Sequence, residues 1–222
     1  MRPSDDIVQE VIRSLERAYG RPTKPPLGDV LEALILTILS QNTSDTNRDR
    51  AFAGLKAAFP TWDEALAAGV QGVEQAIRTG GLAHAKAVRI ISLLEDLKAA
   101  NGGVTLEWLR VLSAEDAERV LMAIPGVGKK TARCVLLFEL GHPAFPVDTH
   151  VLRVAKRLGW VSERTTADRA HDILAGMIPP DSMQALHINM IHLGRTVCRP
   201  GRPDCGSCPL RLHCRYADGK RS

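Results

Sequence analysis

The sequence predicts an all-α protein built from two helical domains. Three observations carry that expectation. Ala and Leu dominate the chain while aromatic residues make up only 4% of it, a composition that favours helix and leaves a sandwich or barrel few rings to stack. Apolar residues recur at three- and four-residue spacing, and no stretch alternates at period two for long enough to make a strand. Helix start and stop signals punctuate the chain throughout.

Taken in order, Ile7, Val8, Val11, Ile12 and Leu15 share a helical face, and Gly20 is a plausible C-cap. The run Arg21–Pro26 is too rich in proline for helix and reads as a linker. Leu31, Leu34, Ile35, Ile38 and Leu39 make the next helix apolar on most sides, hence central and buried. Thr61 with Glu64 is a capping box. Ala83 to Leu97 is a further helical run, stopped by Asn101-Gly102-Gly103. Ser113 with Asp116 marks another start, and Thr166 a later one. About a dozen short helices are expected, in a domain spanning 27–141 and a second formed by 1–26 plus 142–222. The N-terminal helix is too short to stand alone and would pack with the C-terminal segment.

Bulk properties narrow the function classes. The chain has 222 residues, 45% hydrophobic and 24% charged, with a formal charge of +4. This excess permits a polyanionic partner without requiring one. The N-terminus carries Asp5 and Asp6 and no apolar core, so it is not read as a signal peptide. The longest apolar stretch, Val30 to Leu39, is too short for a bilayer and contains Glu32. A soluble cytoplasmic protein without a membrane partner is expected.

Two constellations carry chemistry. The first is Ile124-Pro125-Gly126-Val127-Gly128-Lys129-Lys130-Thr131-Ala132, which joins two helical patterns. Pro125 stops one helix, and Gly126 and Gly128 let the backbone turn tightly and approach a ligand without a Cβ in the way. The following helix offers its free N–H groups and positive dipole end beside them, an arrangement that suits a phosphate. The second is Cys198, Cys205, Cys208 and Cys214, spaced C-x6-C-x2-C-x5-C. Clustered thiols in a reducing compartment read as metal ligands rather than disulfides. Zinc and an iron–sulfur cluster both suit thiolate, and the spacing alone leaves both open. Cys134 stands apart and reads as a small buried hydrophobe.

The hairpin string, the later string Pro146-Val147-Asp148-Thr149-His150-Val151-Leu152-Arg153 and the cysteine spacing together resemble the endonuclease III family of helix–hairpin–helix DNA glycosylases. The resemblance runs from about Leu27 to Cys214. It implies a bifunctional enzyme that excises oxidised pyrimidines from double-stranded DNA and cleaves the strand by β-elimination. It also implies a C-terminal [4Fe–4S] cluster on the four cysteines. Lys130 would attack C1′ of the damaged nucleoside, and Asp148 would assist the departing base. Gly126, Val127, Gly128 and Lys129 would hold the DNA backbone, aided by Arg199 and Arg202 in the cysteine loop. Leu39-Ser40-Gln41-Asn42-Thr43-Ser44-Asp45 resembles the family string that lines the base pocket and fills the gap left by a flipped base. Ser40 and Asp45 match the pocket positions. The gap-filling glutamine aligns with Asn42, and with Gln41 if the register shifts by one. Gly80-Gly81-Leu82 followed by Lys86-Ala87 resembles the loop whose leucine wedges the duplex open, and His150 matches a pocket histidine.

Each residue also has a plainer reading. Lys130 alone is a solvated lysine, Asp148 and Asp45 are helix caps, and Leu82 docks on a neighbouring helix. Two rival functions follow: a monofunctional mismatch glycosylase, against which Lys130 speaks, and a non-catalytic DNA-binding module, which needs neither Lys130 nor Asp148. The expected partner is damaged or abasic duplex DNA, bound by a monomer in a prokaryotic cytoplasm.

Overall fold

The computed structural model describes residues 3–219, and among them all regular structure is helical. The chain forms two compact units, one of Pro26–Val135 and one of Met1–Pro25 with Leu136–Ser222. No helix among the described residues is long and apolar enough to cross a membrane.

The 26–135 unit is built around α2 (Val30–Leu39), whose Leu31, Leu34, Ile35, Ile38 and Leu39 are fully buried. Asp29 caps it by accepting the Glu32 N–H at 2.9 Å. It packs against α3 (Asp45–Ala58) and α5 (Ala83–Asn101), while α4 (Trp62–Ala76) lies along α5. Thr61 caps α4, and α4 breaks at Gly69, whose φ of +65° takes it out of the helical region. Ser113 caps α6 (Ala114–Ala123), and α7 (Lys129–Phe138) follows the hairpin. Arg133 of α7, almost fully buried, donates from Nε to Glu118 of α6 at 2.7 Å, which staples the two hairpin helices together.

The other unit centres on α10 (Met183–Thr196), which packs on both α1 (Asp5–Tyr19) and α8 (Thr149–Leu158). α1 buries Val8, Val11, Ile12 and Leu15 in one cluster with Phe145, Val151, Val154, Met190 and Leu193. Each such side chain is worth about 1.5–3 kcal/mol on burial, so a helix that cannot persist alone is held by its apolar face. The linker is tied down as well: Arg21 donates to the Asp181 carbonyl at 2.9 Å, and Asn189 of α10 to the Gly20 carbonyl at 3.0 Å. α9 (Ala167–Ala175), capped by Thr166, and the short α11 (Arg215–Asp218) complete the unit.

Candidate active site

In the hairpin, α6 ends at Ala123 and Gly126 carries the chain round at φ +79°, a value open to glycine and strained for other residues. Gly126 is also constrained from outside: a Cβ there would lie 2.5 Å from Nε of Arg89, which comes up from α5. Val127 is the anchor of the turn, 5% exposed, with its N–H on the Ile124 carbonyl at 3.0 Å. Gly128 has open space where a side chain would stand. Lys129 and Lys130 open α7, and both are half-buried. Lys130 therefore follows closely on a turn that is open at Gly128, at the end of a helix where N–H groups lack intrahelical partners.

Two further loops of this unit lie on α5. Lys86 is buried, and its Nζ donates to the Leu39 carbonyl at 2.7 Å and to the Gly80 carbonyl at 2.8 Å. Burial pushes its ammonium below the usual lysine range. This one side chain joins the end of α2 to the loop before α5. One turn further on, Arg89 donates to Oε1 of Gln41 at 2.6 Å. Ser40 uses its hydroxyl to cap α2, donating to the Thr37 carbonyl at 2.6 Å. Asn42 is exposed at φ +52°, and Asp45 opens α3 and pairs with Arg48 at 3.0 Å. Leu82 also has a positive φ, +50°, follows Gly81 at φ +66°, and is 62% exposed. It is not core.

Asp148 has a different setting. Its carboxylate accepts the Val151 N–H at 2.8 Å and so caps α8, as the plainer reading held, while remaining half-buried. The two residues before it are fastened by histidines. His171 of α9 is 1% exposed, gives its Nδ1 proton to the Ala167 carbonyl at 2.7 Å and accepts the Val147 N–H on Nε2 at 3.0 Å. Those partners require the neutral ring with its proton on Nδ1. His187 of α10, 4% exposed, donates from Nδ1 to the Pro146 carbonyl at 3.0 Å.

α8 also holds the cysteine loop. Arg153 donates to the Cys198 carbonyl at 2.9 Å and to the Gly194 carbonyl at 2.8 Å, and its guanidinium meets Nδ1 of His150 at 3.2 Å. Arg157 donates to the Arg199 carbonyl at 2.9 Å, the Pro200 carbonyl at 2.7 Å and the Cys198 Sγ at 3.1 Å. Its guanidinium stacks on Tyr216 at 4.6 Å. The four thiols come close enough to feel one another: Cys208 is pushed up to about 11, first by burial and then by Cys198, Cys214 and Cys205. Ionised together they would repel, and a bound cationic centre removes that cost. No three His, Cys, Asp or Glu side chains among the described residues stand as the ligands of one ion would. Arg199 and Arg202 are both exposed on this loop.

The sequence did not single out Arg89, Arg157, His171 or His187 as contributors. Lys86 lies inside the string that carries Leu82, which gives it no role. A cavity of the Asp148-bearing unit lies elsewhere, at the C-terminal end of α8 among Arg157, Trp160, Arg169 and Tyr216, and none of the predicted site residues lines it.

Known proteins are similar to this chain in sequence and in fold. The family profile described as HhH-GPD superfamily base excision DNA repair protein matches residues 35–180. A protein of Arabidopsis thaliana provisionally named a DNA glycosylase is 52% identical over 140 residues, covering 63% of this chain and 47% of that protein. Endonuclease III of Thermotoga maritima is 32% identical over 210 residues, 95% of this chain and 93% of the relative. The structure of a trapped endonuclease III–DNA covalent intermediate superposes with a TM-score of 0.82 at 28% identity, covering 99% of this chain and 100% of that one. The chain thus spans about half the length of the Arabidopsis relative and nearly all of the Thermotoga one.

Proposed function

Because the chain belongs to the HhH-GPD superfamily of base excision DNA repair proteins, among the endonuclease III-like DNA glycosylases, we propose that it is a bifunctional DNA glycosylase/AP lyase. Its substrate is double-stranded DNA carrying oxidised pyrimidines or abasic sites, and it cleaves the strand by β-elimination. The observation that carries this reading is Lys130, an amine in the first turn of α7 directly after the glycine turn. A deprotonated amine there can displace the base at C1′ and hold the opened sugar as a Schiff base, from which the 3′ phosphate is lost. Base removal by water alone would need no amine at this position.

The remaining roles follow from residue type and setting. Gly126, Gly128 and Lys129 grip a phosphate without reading sequence, on a turn that Val127 only anchors because its side chain is buried and its N–H is spent on Ile124, and Arg199 and Arg202 add charge toward the backbone. The Asp148 carboxylate stabilises positive charge growing on the sugar as the base departs. Ser40 and Asp45 line the base pocket, Leu82 is the wedge, and Asn42 or Gln41 fills the gap. Cys198, Cys205, Cys208 and Cys214 hold a [4Fe–4S] cluster, which supplies a cross-link that fixes a polar tail. The enzyme works as a monomer in a prokaryotic cytoplasm.

The test is covalent trapping. Incubated with duplex DNA containing thymine glycol or an abasic site and then reduced with borohydride, the protein forms a cross-linked adduct. Lys130→Gln abolishes both adduct and strand cleavage while duplex binding persists. Wild-type trapping by that variant moves the nucleophile elsewhere and ends this reading.

A further inference from the structure

Arg89 stands where two loops of the 26–135 unit meet. Its Nη1 donates to Oε1 of Gln41 at 2.6 Å, and its Nε, Cδ and Cζ crowd the Cα of Gly126 so closely that a Cβ there would be 2.5 Å to 2.9 Å from them. Charge assistance and a short distance make the bond to Gln41 a strong one, and partial burial protects it from water. Gln41 is thereby committed: its amide oxygen is taken, and to leave the loop it must abandon a guanidinium that lies against Gly126 of the hairpin. Its neighbour is in the opposite condition. Asn42 is exposed, at a left-handed φ of +52° that a short polar side chain tolerates, at the tip of the turn between α2 and α3.

We propose that Arg89 is a positioning and specificity-determining residue. By holding Gln41 on α5, against the hairpin turn, it leaves Asn42 as the side chain that enters the gap beside the flipped nucleotide and meets the opposite base. This rests on the glycosylase reading above. Arg89 touches neither the reacting sugar nor the base; it acts through Gln41. Its guanidinium beneath Gly126 also makes the shape of the gap-filling loop depend on the shape of the phosphate-gripping turn. Asparagine offers the same amide as glutamine on a shorter stem, so the opposite base is read at closer range. Amide contacts to a base discriminate by about fivefold to 150-fold, the equivalent of roughly 1–3 kcal/mol.

The experiment measures single-turnover excision by the intact, cluster-loaded protein on duplexes with thymine glycol opposite each of the four bases in turn. Asn42→Ala compresses the spread of the four rates by about tenfold, while Gln41→Ala leaves it unchanged. Arg89→Ala releases Gln41 to compete for the gap, so the spread shifts; adding Gln41→Ala to Arg89→Ala restores it, because only Asn42 remains. A merely structural arginine gives no such restoration. If Arg89→Ala does not fold, Arg89→Met keeps the stem, removes the donors and carries the same prediction. A spread that collapses with Gln41→Ala alone, or that ignores Arg89 and Asn42, overturns the proposal while the glycosylase reading stands. A wild-type protein that excises nothing opposite any base removes that reading and the proposal with it.

Discussion

The backbone leading to Asp148 and the loops bearing Asn42 and Leu82 are held by opposite means. At Pro146 and Val147, two buried rings reach in from α9 and α10 and take one main-chain donor and one main-chain acceptor, while Asp148 itself closes the end of α8. At Asn42, Gly81 and Leu82 the main chain adopts positive φ, and the buried fastening comes from Lys86 of α5, which binds the Leu39 and Gly80 carbonyls. In the first region side-chain chemistry fixes a backbone that carries one carboxylate. In the second, backbone shape presents side chains that are exposed. Stability and activity should therefore fall together when the fastenings of the first region are cut, and come apart when the exposed side chains of the second are trimmed.

The largest effect falls on Asp148 itself. Asp148→Asn keeps an oxygen to accept the Val151 N–H, so the cap and the melting temperature largely survive. The lost charge should slow base excision by on the order of 10²–10³ and cleavage of a ready-made abasic site much less. Equal losses in both reactions, accompanied by a drop in melting temperature, would make Asp148 a cap and nothing more. Next comes the fastening. His171→Phe fills the space but leaves the buried Val147 N–H without its acceptor, at a cost of about 1–3 kcal/mol. It should lower the melting temperature and, with the backbone released, slow excision by roughly tenfold, the rate equivalent of about 1.4 kcal/mol. His171→Gln, which offers an acceptor, should recover much of both. A His171→Phe protein that melts early yet excises normally breaks the link between fastening and function.

These fastenings also mark how far the sequence could be read. Thr61, Ser113, Asp148 and Thr166 were legible as helix starts because a cap is a local bond, made to an N–H three residues on. Gly20, which accepts the turn at the end of α1, was legible for the same reason. The hairpin was legible because a tight turn needs its residues in one string. His171 lies 24 residues from Val147, His187 lies 41 from Pro146, and Arg89 lies 48 from Gln41. No periodicity links such pairs, and each histidine on its own helix looks like any other half-apolar residue. Gly69 was overlooked too: one glycine inside a helical pattern is usually tolerated, and here it breaks α4.

The hairpin, which Arg89 of α5 also meets, allows its backbone to be tested directly. Gly126→Ala puts a Cβ at φ +79°, which costs about 1–2 kcal/mol, and pushes that atom against Arg89. Duplex affinity should weaken roughly fivefold, about 1 kcal/mol, measured by fluorescence anisotropy, with the Lys130 chemistry intact once DNA is saturating. Gly128→Ala, with nothing in the way, should fold as the wild type does. Its added methyl meets only the ligand, so a loss of affinity without a loss of stability would place the phosphate on that face. Equal stability losses in the two variants would mean that the turn is strained throughout and that Arg89 is incidental.

The smallest effect on the fold, and the sharpest division between fold and function, is expected at Leu82. The side chain is 62% exposed, so Leu82→Ala removes little buried surface and should change stability by no more than about 0.5 kcal/mol. Its left-handed φ of +50° is uncomfortable for leucine and alanine alike, so strain should differ little between them. An exposed leucine held in a strained conformation, in a loop tied down by a buried lysine, is placed for contact with something outside the chain. If that is the DNA stack, the benefit depends on the substrate. Extruding a base from a duplex costs a few kcal/mol, and a wedge offsets part of this by keeping the stack apart. An abasic site in a flexible single strand has no base to extrude and no partner to displace. Leu82→Ala should therefore slow excision from duplex DNA and leave cleavage of the single-stranded abasic site near wild type. Equal impairment on both substrates, with an unchanged melting temperature, would show that Leu82 contacts DNA without wedging it.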